Sequence, residues 1–210
     1  MKLRTHAALL AAALLAGCSV LGGSKETMTV FAPDPRVPAD PAWPHVSWQL
    51  ELARPEAARA TDSLRIAVRP TPDELQVYKG ASWAKSPSEQ LEDTLLRTLE
   101  DSGRIDAVGR AGSGLAADYR LVTDLRRYEA DYAGNAVPAA TIEVNAKRLH
   151  TPDPEVVASR TFVQAVPAAG TATPQVAQAF SQALGTIGHD IAGWALASGE
   201  ANAQRTRAAR

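Results

Sequence analysis

The residue type best suited to covalent chemistry in this chain is a thiol, and Cys18 is the only cysteine. It ends the sequence Leu-Ala-Gly-Cys at residues 15–18, directly behind an apolar run over residues 7–16. Two basic residues precede the run, which is too short to span a bilayer, since spanning takes about 20 helical residues. A basic start followed by a short apolar segment is typical of a secretory signal. We therefore predict that residues 1–17 are an export signal that is removed from the mature chain.

The sequence Leu-Ala-Gly-Cys resembles the bacterial lipobox. That resemblance implies that the Cys18 thiol receives a diacylglyceryl group, that cleavage follows Gly17, and that the new amine is acylated. Small side chains at Ala16 and Gly17 let an extended backbone enter a peptidase cleft, and a thiol is a soft nucleophile that forms thioethers. The alternative is an ordinary signal peptide followed by a free cysteine. Two or more acyl chains, at about 0.8 kcal/mol per buried CH₂, attach a protein durably to a membrane.

The residues after the cysteine predict where the protein is held. Ser19 rather than aspartate follows the anchor, and lipoproteins of this kind are generally sorted to the periplasmic leaflet of the outer membrane. Residues 18–26 are small, polar and glycine-bearing, which is typical of a flexible tether. Such a tether reaches at most about 25 to 30 Å. We therefore expect a folded domain that stays close to the bilayer.

Composition limits the function classes. The chain carries 22 basic and 23 acidic residues, a formal net charge of −1, and so predicts no nucleic-acid partner. With 45% apolar and 21% charged residues it has the composition of an ordinary globular domain. Once Cys18 is acylated, no disulfide within the chain is available, and stability must come from packing. The covalent lipid on Cys18 is the only cofactor that we expect.

The strands are predicted from alternation of apolar and polar residues. A period of two over residues 46–52 and 64–69 indicates half-buried strands. A short strand over residues 27–32 precedes a stiff loop, because five prolines fall between residues 33 and 44. Further strands are predicted over residues 105–108, 118–130, 141–149 and 156–166. Short turns separate the last three, which predicts an antiparallel meander.

The sequence predicts two helices from residues that are typical of helix N-termini. Ser-Pro-Ser-Glu at residues 86–89 is a capping box with proline at the first helical position, which predicts a helix over residues 87–102. A second helix begins at Thr173 and carries one apolar stripe as far as Trp194. Three glycines inside it each cost about 1 kcal/mol relative to alanine, so we expect close approach of a neighbour there.

These elements predict the fold class. The fold is α+β, a mixed and mostly antiparallel sheet with two helices packed on one face, as a single domain over residues 27–197. We expect residues 198–210 to be a polar, disordered tail, since the apolar pattern ends there.

The sequence offers few residues for catalysis. His45, His150 and His189 do not have the spacing of a metal site, and no nucleophile elbow or phosphate-binding loop is present. We therefore predict no metal site, no catalytic residue and no enzymatic activity. His189 falls opposite the apolar stripe of the second helix and is expected to be exposed. The carboxylate pairs Asp73-Glu74 and Glu92-Asp93 are expected to be ordinary surface residues.

Aromatic side chains are the remaining candidates for ligand or partner contact. Tyr78 and Trp83 bracket a predicted loop directly before the first helix, where either packing or contact with a partner would explain them. We favour packing slightly. Trp43 lies in the proline-rich loop and is harder to bury, so contact with a ligand or partner is favoured there. Trp48 faces inward on its predicted strand and is expected in the core.

Taken together, the motifs resemble the ABC-type transport auxiliary lipoprotein family. The matching segments are the lipobox at residues 15–18, Thr-Val-Phe at 29–31, and residues 64–68, 72–75, 78–83, 99–103 and 117–121, followed by the helix that ends at Trp194. They cover most of residues 27–197.

The family resemblance implies a function without catalysis. The protein would partner with an ABC permease complex and an MCE-domain protein to move phospholipids or other hydrophobic molecules between the inner and outer membranes. Whether the protein also forms a homo-oligomer is left open at this point. Two other classes remain: an assembly factor, such as a chaperone or pilotin for an outer-membrane barrel or secretin, and a hydrolase, which the missing nucleophile disfavours.

Overall fold

The computed structural model describes residues 27–209. The predicted export signal over residues 1–17, the cleavage and lipid attachment site at Gly17 and Cys18, and the rest of the tether up to residue 26 lie outside the described residues. The described chain forms nine strands and two helices. In order they are β1 (Thr29–Phe31), β2 (Val46–Leu52), β3 (Glu56–Ala57), β4 (Arg65–Arg69), β5 (Gln76–Trp83), α1 (Pro87–Ser102), β6 (Ile105–Arg110), β7 (Tyr119–Asp131), β8 (Ala139–His150), β9 (Glu155–Pro167) and α2 (Thr173–Ala208).

The sheet is organised around β7. Strand β8 pairs with one edge of β7 along its length, and β9 pairs with β8, both antiparallel. The other edge of β7 is shared by β2, β3 and β4, which pair with successive parts of it in parallel. Strand β6 lies beyond β2, and β5 and then β1 lie beyond β4. The α+β fold with a mixed sheet is therefore confirmed, with its longest ladders antiparallel as in the predicted meander.

Both helices pack over the same layer of the domain. Helix α1 contacts α2 and β6, and α2 also lies against β8 and β9. The rings of Trp83, Tyr128 and Phe180 meet in the core, with the Phe180 centroid 5.1 Å from that of Trp83 and 4.8 Å from that of Tyr128. The buried residues described within 27–209 form one hydrophobic core cluster. No helix within these residues has the length and apolarity needed to cross a bilayer.

The glycines of α2 are sites of close approach, as the sequence predicted. A Cβ atom at Gly188 would lie 2.7 Å from Thr94 Cγ2 of α1, which is closer than side chains tolerate. A Cβ at Gly193 would collide with the indole ring of Trp43. The cost of glycine in the helix is offset by the packing that its missing side chain permits.

Residues 33–44, which we call the strap, connect β1 to β2 across the helices. The Asp34 carboxylate pairs with Arg97 of α1, and the Pro41 carbonyl accepts a hydrogen bond of 3.4 Å from Arg104. Pro35 lies against Gly185 of α2. The predicted stiff loop is thus a third layer that holds both helices from outside.

The structure corrects the sequence analysis at two elements. Residues 76–83 form the strand β5, where a loop was predicted around Tyr78 and Trp83. Gly80 has a φ of +64° and interrupts the alternation that would have revealed the strand. Helix α2 continues to Ala208, so the prediction of a disordered tail from residue 198 is wrong for these residues. Contacts with the sheet explain the extension, because the Tyr119 hydroxyl donates to Asn202 Oδ1 at 2.9 Å.

Candidate functional site

A cavity of about 560 Å³ opens where the ends of β1 and β5 meet α1 and β6. We call it the α1 groove. It is lined by Ala32, Pro33, Asp34, Ala84, Lys85, Gln90, Asp93, Leu96, Arg97 and Arg110. Its size falls inside the range of roughly 300 to 1,000 Å³ that is usual for small-molecule sites. The groove is therefore the candidate functional site.

The start of α1 fixes one wall of the groove. Ser86 is the N-cap, and its backbone N–H donates to Glu89 Oε2 at 2.9 Å in the predicted capping box. Asp62 accepts hydrogen bonds of 2.9 Å from both the backbone N–H and the hydroxyl of Ser88. Capping of this kind contributes about 1 kcal/mol to helix stability. Because the helix start is held in this way, Lys85 keeps a defined position just before the first turn.

Gln90 forms the buried wall of the groove. Its side-chain amide donates to the Lys85 carbonyl at 2.8 Å, and its carbonyl oxygen accepts from the Tyr128 hydroxyl at 2.7 Å. Burial raises the pKa of Tyr128, which therefore keeps its proton and remains a donor. Both polar groups of the Gln90 side chain are thus hydrogen-bonded within the protein.

Charged side chains make the rim. Asp93 Oδ2 lies 2.5 Å from Lys85 Nζ, and Asp93 Oδ1 lies 2.5 Å from Arg110 Nη2. Arg97 pairs with Asp34 of the strap on the other side. Three cations and two carboxylates thus line the groove, and a third carboxylate, Glu92, pairs with Arg110 at 3.5 Å. Exposed ion pairs of this kind contribute about 0 to 1 kcal/mol each, so an incoming ligand can displace them at low cost.

The groove combines donors with apolar surface, and this arrangement suits binding. Ala32, Pro33, Ala84 and Leu96 provide its apolar part. Within residues 27–209, no cluster of three or more histidine, cysteine or carboxylate side chains is arranged to hold a metal ion.

The aromatic residues singled out from the sequence do not gather at this groove. Trp43 was expected to be hard to bury, but it is only 7% exposed. Its contact with a ligand or partner stays a prediction. Its ring fills the space at Gly193 and lies 4.9 Å from the ring of His189, which is half-buried. Trp83 is 2% exposed and belongs to the core, as does Trp48. Tyr78 is half-buried, and burial raises its pKa to about 12.

Sequence reasoning missed the charged residues of the groove. The Glu92-Asp93 pair was assigned to ordinary surface, and Lys85 was not singled out. The spacing of Asp93 and Arg97 along α1 was an available signal, since residues four apart share a helix face. Arg110 and Asp34 reach the groove only through the tertiary fold.

A second unexpected feature is a buried cation on β8. Arg148 is fully buried, and burial lowers its pKa to about 10. Its Nη1 donates to the Ala195 carbonyl at 3.2 Å and to the Ser198 hydroxyl at 3.1 Å. Within residues 27–209, Arg148 Nε and Nη2 and the Trp48 indole nitrogen have no hydrogen-bond partner. A cavity of about 310 Å³ lies beside Trp48, between the end of α2 and the sheet.

The fold and the site together define a class: an α+β domain with an amphiphilic groove, in a chain whose residues 15–18 resemble a lipobox. The chain belongs to the family of ABC-type transport auxiliary lipoprotein components, whose model matches residues 29–192. The resemblance found in the sequence is thereby confirmed.

Solved structures agree with this assignment. A protein from Xanthomonas campestris is 54% identical, with a TM-score of 0.82, and the match covers 84% of this chain and 99% of that one. An uncharacterised protein, 14% identical over 76% of this chain and 97% of its own, has a TM-score of 0.57 and shares the fold. PelC from Paraburkholderia phytofirmans, solved as a dodecamer, is 13% identical over 70% of this chain and 93% of its own. Its TM-score of 0.42 is too low to bear on the assembly of this chain. No curated protein matches.

Proposed function

We propose that this protein is a lipid-anchored, non-catalytic subunit of an ABC transporter that works with an MCE-domain protein. The system would move phospholipid or other hydrophobic molecules between the inner and outer membranes. The observation that carries the proposal is the family match over residues 29–192, in a chain whose residues 15–18 resemble a lipobox. We place the protein on the periplasmic face of the outer membrane, because serine rather than aspartate follows Cys18.

The direction of β1 shows on which side of the domain the described chain begins. Strand β1 is parallel to β5, β5 is antiparallel to β4, and β4 is parallel to β7, so β1 runs opposite to β7. The chain therefore enters the fold from the side of the sheet where β7 ends, at Asp131. Helix α2 ends at the other side, where Ala203 and Arg207 share a cavity with His150.

We call the surface around Asp118, His150 and Arg207 the distal end, since it lies away from the entry of the tether. A lipid on Cys18 would keep the opposite side of the domain, where the tether enters, closer to the bilayer on average. The distal end would then face the periplasm, where a partner that extends from the inner membrane would meet it. We propose that the MCE-domain protein docks there.

Crosslinking in intact envelopes tests this function. The full-length protein is captured after crosslinking, and its partners are identified by mass spectrometry. Recovery of an ABC permease and an MCE-domain protein is the expected result. Recovery of an outer-membrane barrel or a secretin instead would contradict the proposal and favour an assembly factor.

A further inference from the structure

The α1 groove has more hydrogen-bond donors than its own carboxylates use. An ammonium group has three hydrogens to donate and a guanidinium has five. Lys85 Nζ donates to Asp93 Oδ2, and Arg110 Nη2 donates to Asp93 Oδ1. Both cations thus contact Asp93, and Arg110 Nε also lies 3.5 Å from Glu92 Oε1. Within the described residues, donors remain on both side chains for another anionic acceptor.

The cationic side chains of the rim lie next to the apolar part of the groove. Ala84 directly precedes Lys85 in the chain, and Leu96 directly precedes Arg97, so each apolar residue has a cationic chain neighbour that also lines the groove. Ala84 is exposed, and its backbone N–H donates to the Phe31 carbonyl at 2.8 Å, which holds β1 and the start of the strap in place. A ligand that matches this wall needs an anionic head and an apolar body.

We propose that the α1 groove binds a single-chain amphiphile with a carboxylate or phosphate head. The head lies between Lys85 and Arg110, and the first part of the acyl chain lies on Ala84 and Leu96. One acyl chain is specified because the cavity of about 560 Å³ lies in the middle of the small-molecule range. This inference rests on the proposed function in lipid transport, for which it names the ligand class and the site.

Direct binding to residues 27–209 tests the site, because this part holds the described core cluster and lacks acyl chains that would compete. A fluorescent undecanoic acid carrying a dansyl group is the reporter, and unlabelled ligands displace it. Myristate and lysophosphatidic acid should compete, and inorganic phosphate should not. Lysophosphatidylcholine should compete about tenfold less well, because its head has no net charge. If only one of the two anionic ligands competes, that result identifies the head group. Equal competition by lysophosphatidylcholine would overturn the charge argument.

Matched variants localise the binding. Ala84→Phe fills the groove and should abolish displaceable binding, whereas Ala116→Phe, at an exposed position outside the groove, should leave it unchanged. Lys85→Gln should weaken binding about fivefold, as expected for loss of a charge-assisted hydrogen bond. Lys79→Gln, an exposed lysine outside the groove, should have no effect. Circular dichroism confirms that each variant is folded.

Two results would overturn the site. One is the absence of saturable binding by the unmodified domain, and the other is equal binding by the domain and its Ala84→Phe variant. Either result is independent of the partner capture described above. A protein that captures the permease and the MCE-domain protein without binding an amphiphile would retain the proposed function and lose this ligand site.

Discussion

The guanidinium carbon of Arg148 lies 4.5 Å from the centroid of the Tyr119 ring, in the interior between the sheet and α2. No carboxylate within residues 27–209 lies at ion-pair distance from this cation. The aromatic face therefore supplies part of the stabilisation that a counter-ion would give. A buried charge costs several kcal/mol unless it is well compensated, so this pair must affect stability.

Two replacements of Arg148 separate the destabilising effect of its buried charge from the stabilising effect of its packing. Arg148→Met retains much of the volume and removes the charge, so we expect unchanged stability or a gain of about 1 to 3 kcal/mol. Arg148→Ala removes the volume as well and should cost about 2 to 4 kcal/mol. Urea unfolding of residues 27–209 measures both values. A loss of stability in Arg148→Met as large as that in Arg148→Ala would contradict this interpretation.

Glu129 makes folding stability dependent on acid pH. Its carboxylate accepts hydrogen bonds of 2.8 Å from Arg69 Nε and 2.7 Å from Arg127 Nε. Burial alone would raise its pKa, but the hydrogen bonds from the two arginines lower it below the ordinary value of 4.5. The unfolded state therefore takes up the proton first as the pH falls, and stability from Glu129 that is present above about pH 4.5 is lost below it.

The corresponding variant is Glu129→Gln. It should destabilise the domain at pH 7 by about 1 to 3 kcal/mol, because Arg69 and Arg127 lose their carboxylate partner. Its stability should also fall less steeply than that of the unmodified protein between pH 5 and pH 3. Urea titrations at several pH values give both slopes. Equal slopes of stability against pH in the two proteins would show that Glu129 does not contribute to the loss of stability in acid.

The contact between Trp43 and Gly193 predicts a non-additive pair of mutations. Alanine is a better helix former than glycine by about 1 kcal/mol. Gly193→Ala should nevertheless cost about 1 to 3 kcal/mol, because its Cβ would collide with the indole ring of Trp43. In a Trp43→Ala background the same change should be neutral or stabilising. A double-mutant cycle by thermal unfolding measures the coupling, and additive effects would refute the contact.

The anchor is tested by Cys18→Ala. Without a thiol no thioether forms, and the folded domain should move from the membrane fraction to the soluble fraction. Membrane fractionation with salt and carbonate washes shows where each protein is found. Mass spectrometry of the protein with Cys18 intact shows whether the cysteine is acylated. A Cys18→Ala protein that remains on the membrane after these washes would contradict attachment by lipid alone.

Local sequence patterns predicted the elements whose signals are complete within a few residues. The capping box at Ser86 and Glu89 predicted the start of α1, and the structure contains both of its hydrogen bonds. Alternation predicted β2, and the apolar stripe of α2 is buried from Val176 to Ile191. The family resemblance also rested on short segments of this kind and on their order along the chain.

The features that were missed depend on residues far apart in sequence. Strand β5 is held by pairing with β1 and β4, and its own alternation is broken at Gly80. Helix α2 extends past residue 197 because Asn202 reaches Tyr119, which is 83 residues away.

The sequence by itself predicted a lipoprotein-like start of the chain. It determined the order of the helices and most strands and the apolar faces that form the core. These properties follow from neighbouring residues, through helix capping and the periodicity of side chains. Only the tertiary structure decided that Asp34, Lys85, Asp93 and Arg110 line one groove and that Trp43 is buried against Gly193. The physical reason is that such contacts form between separate elements, whose relative positions are set by packing of the whole core.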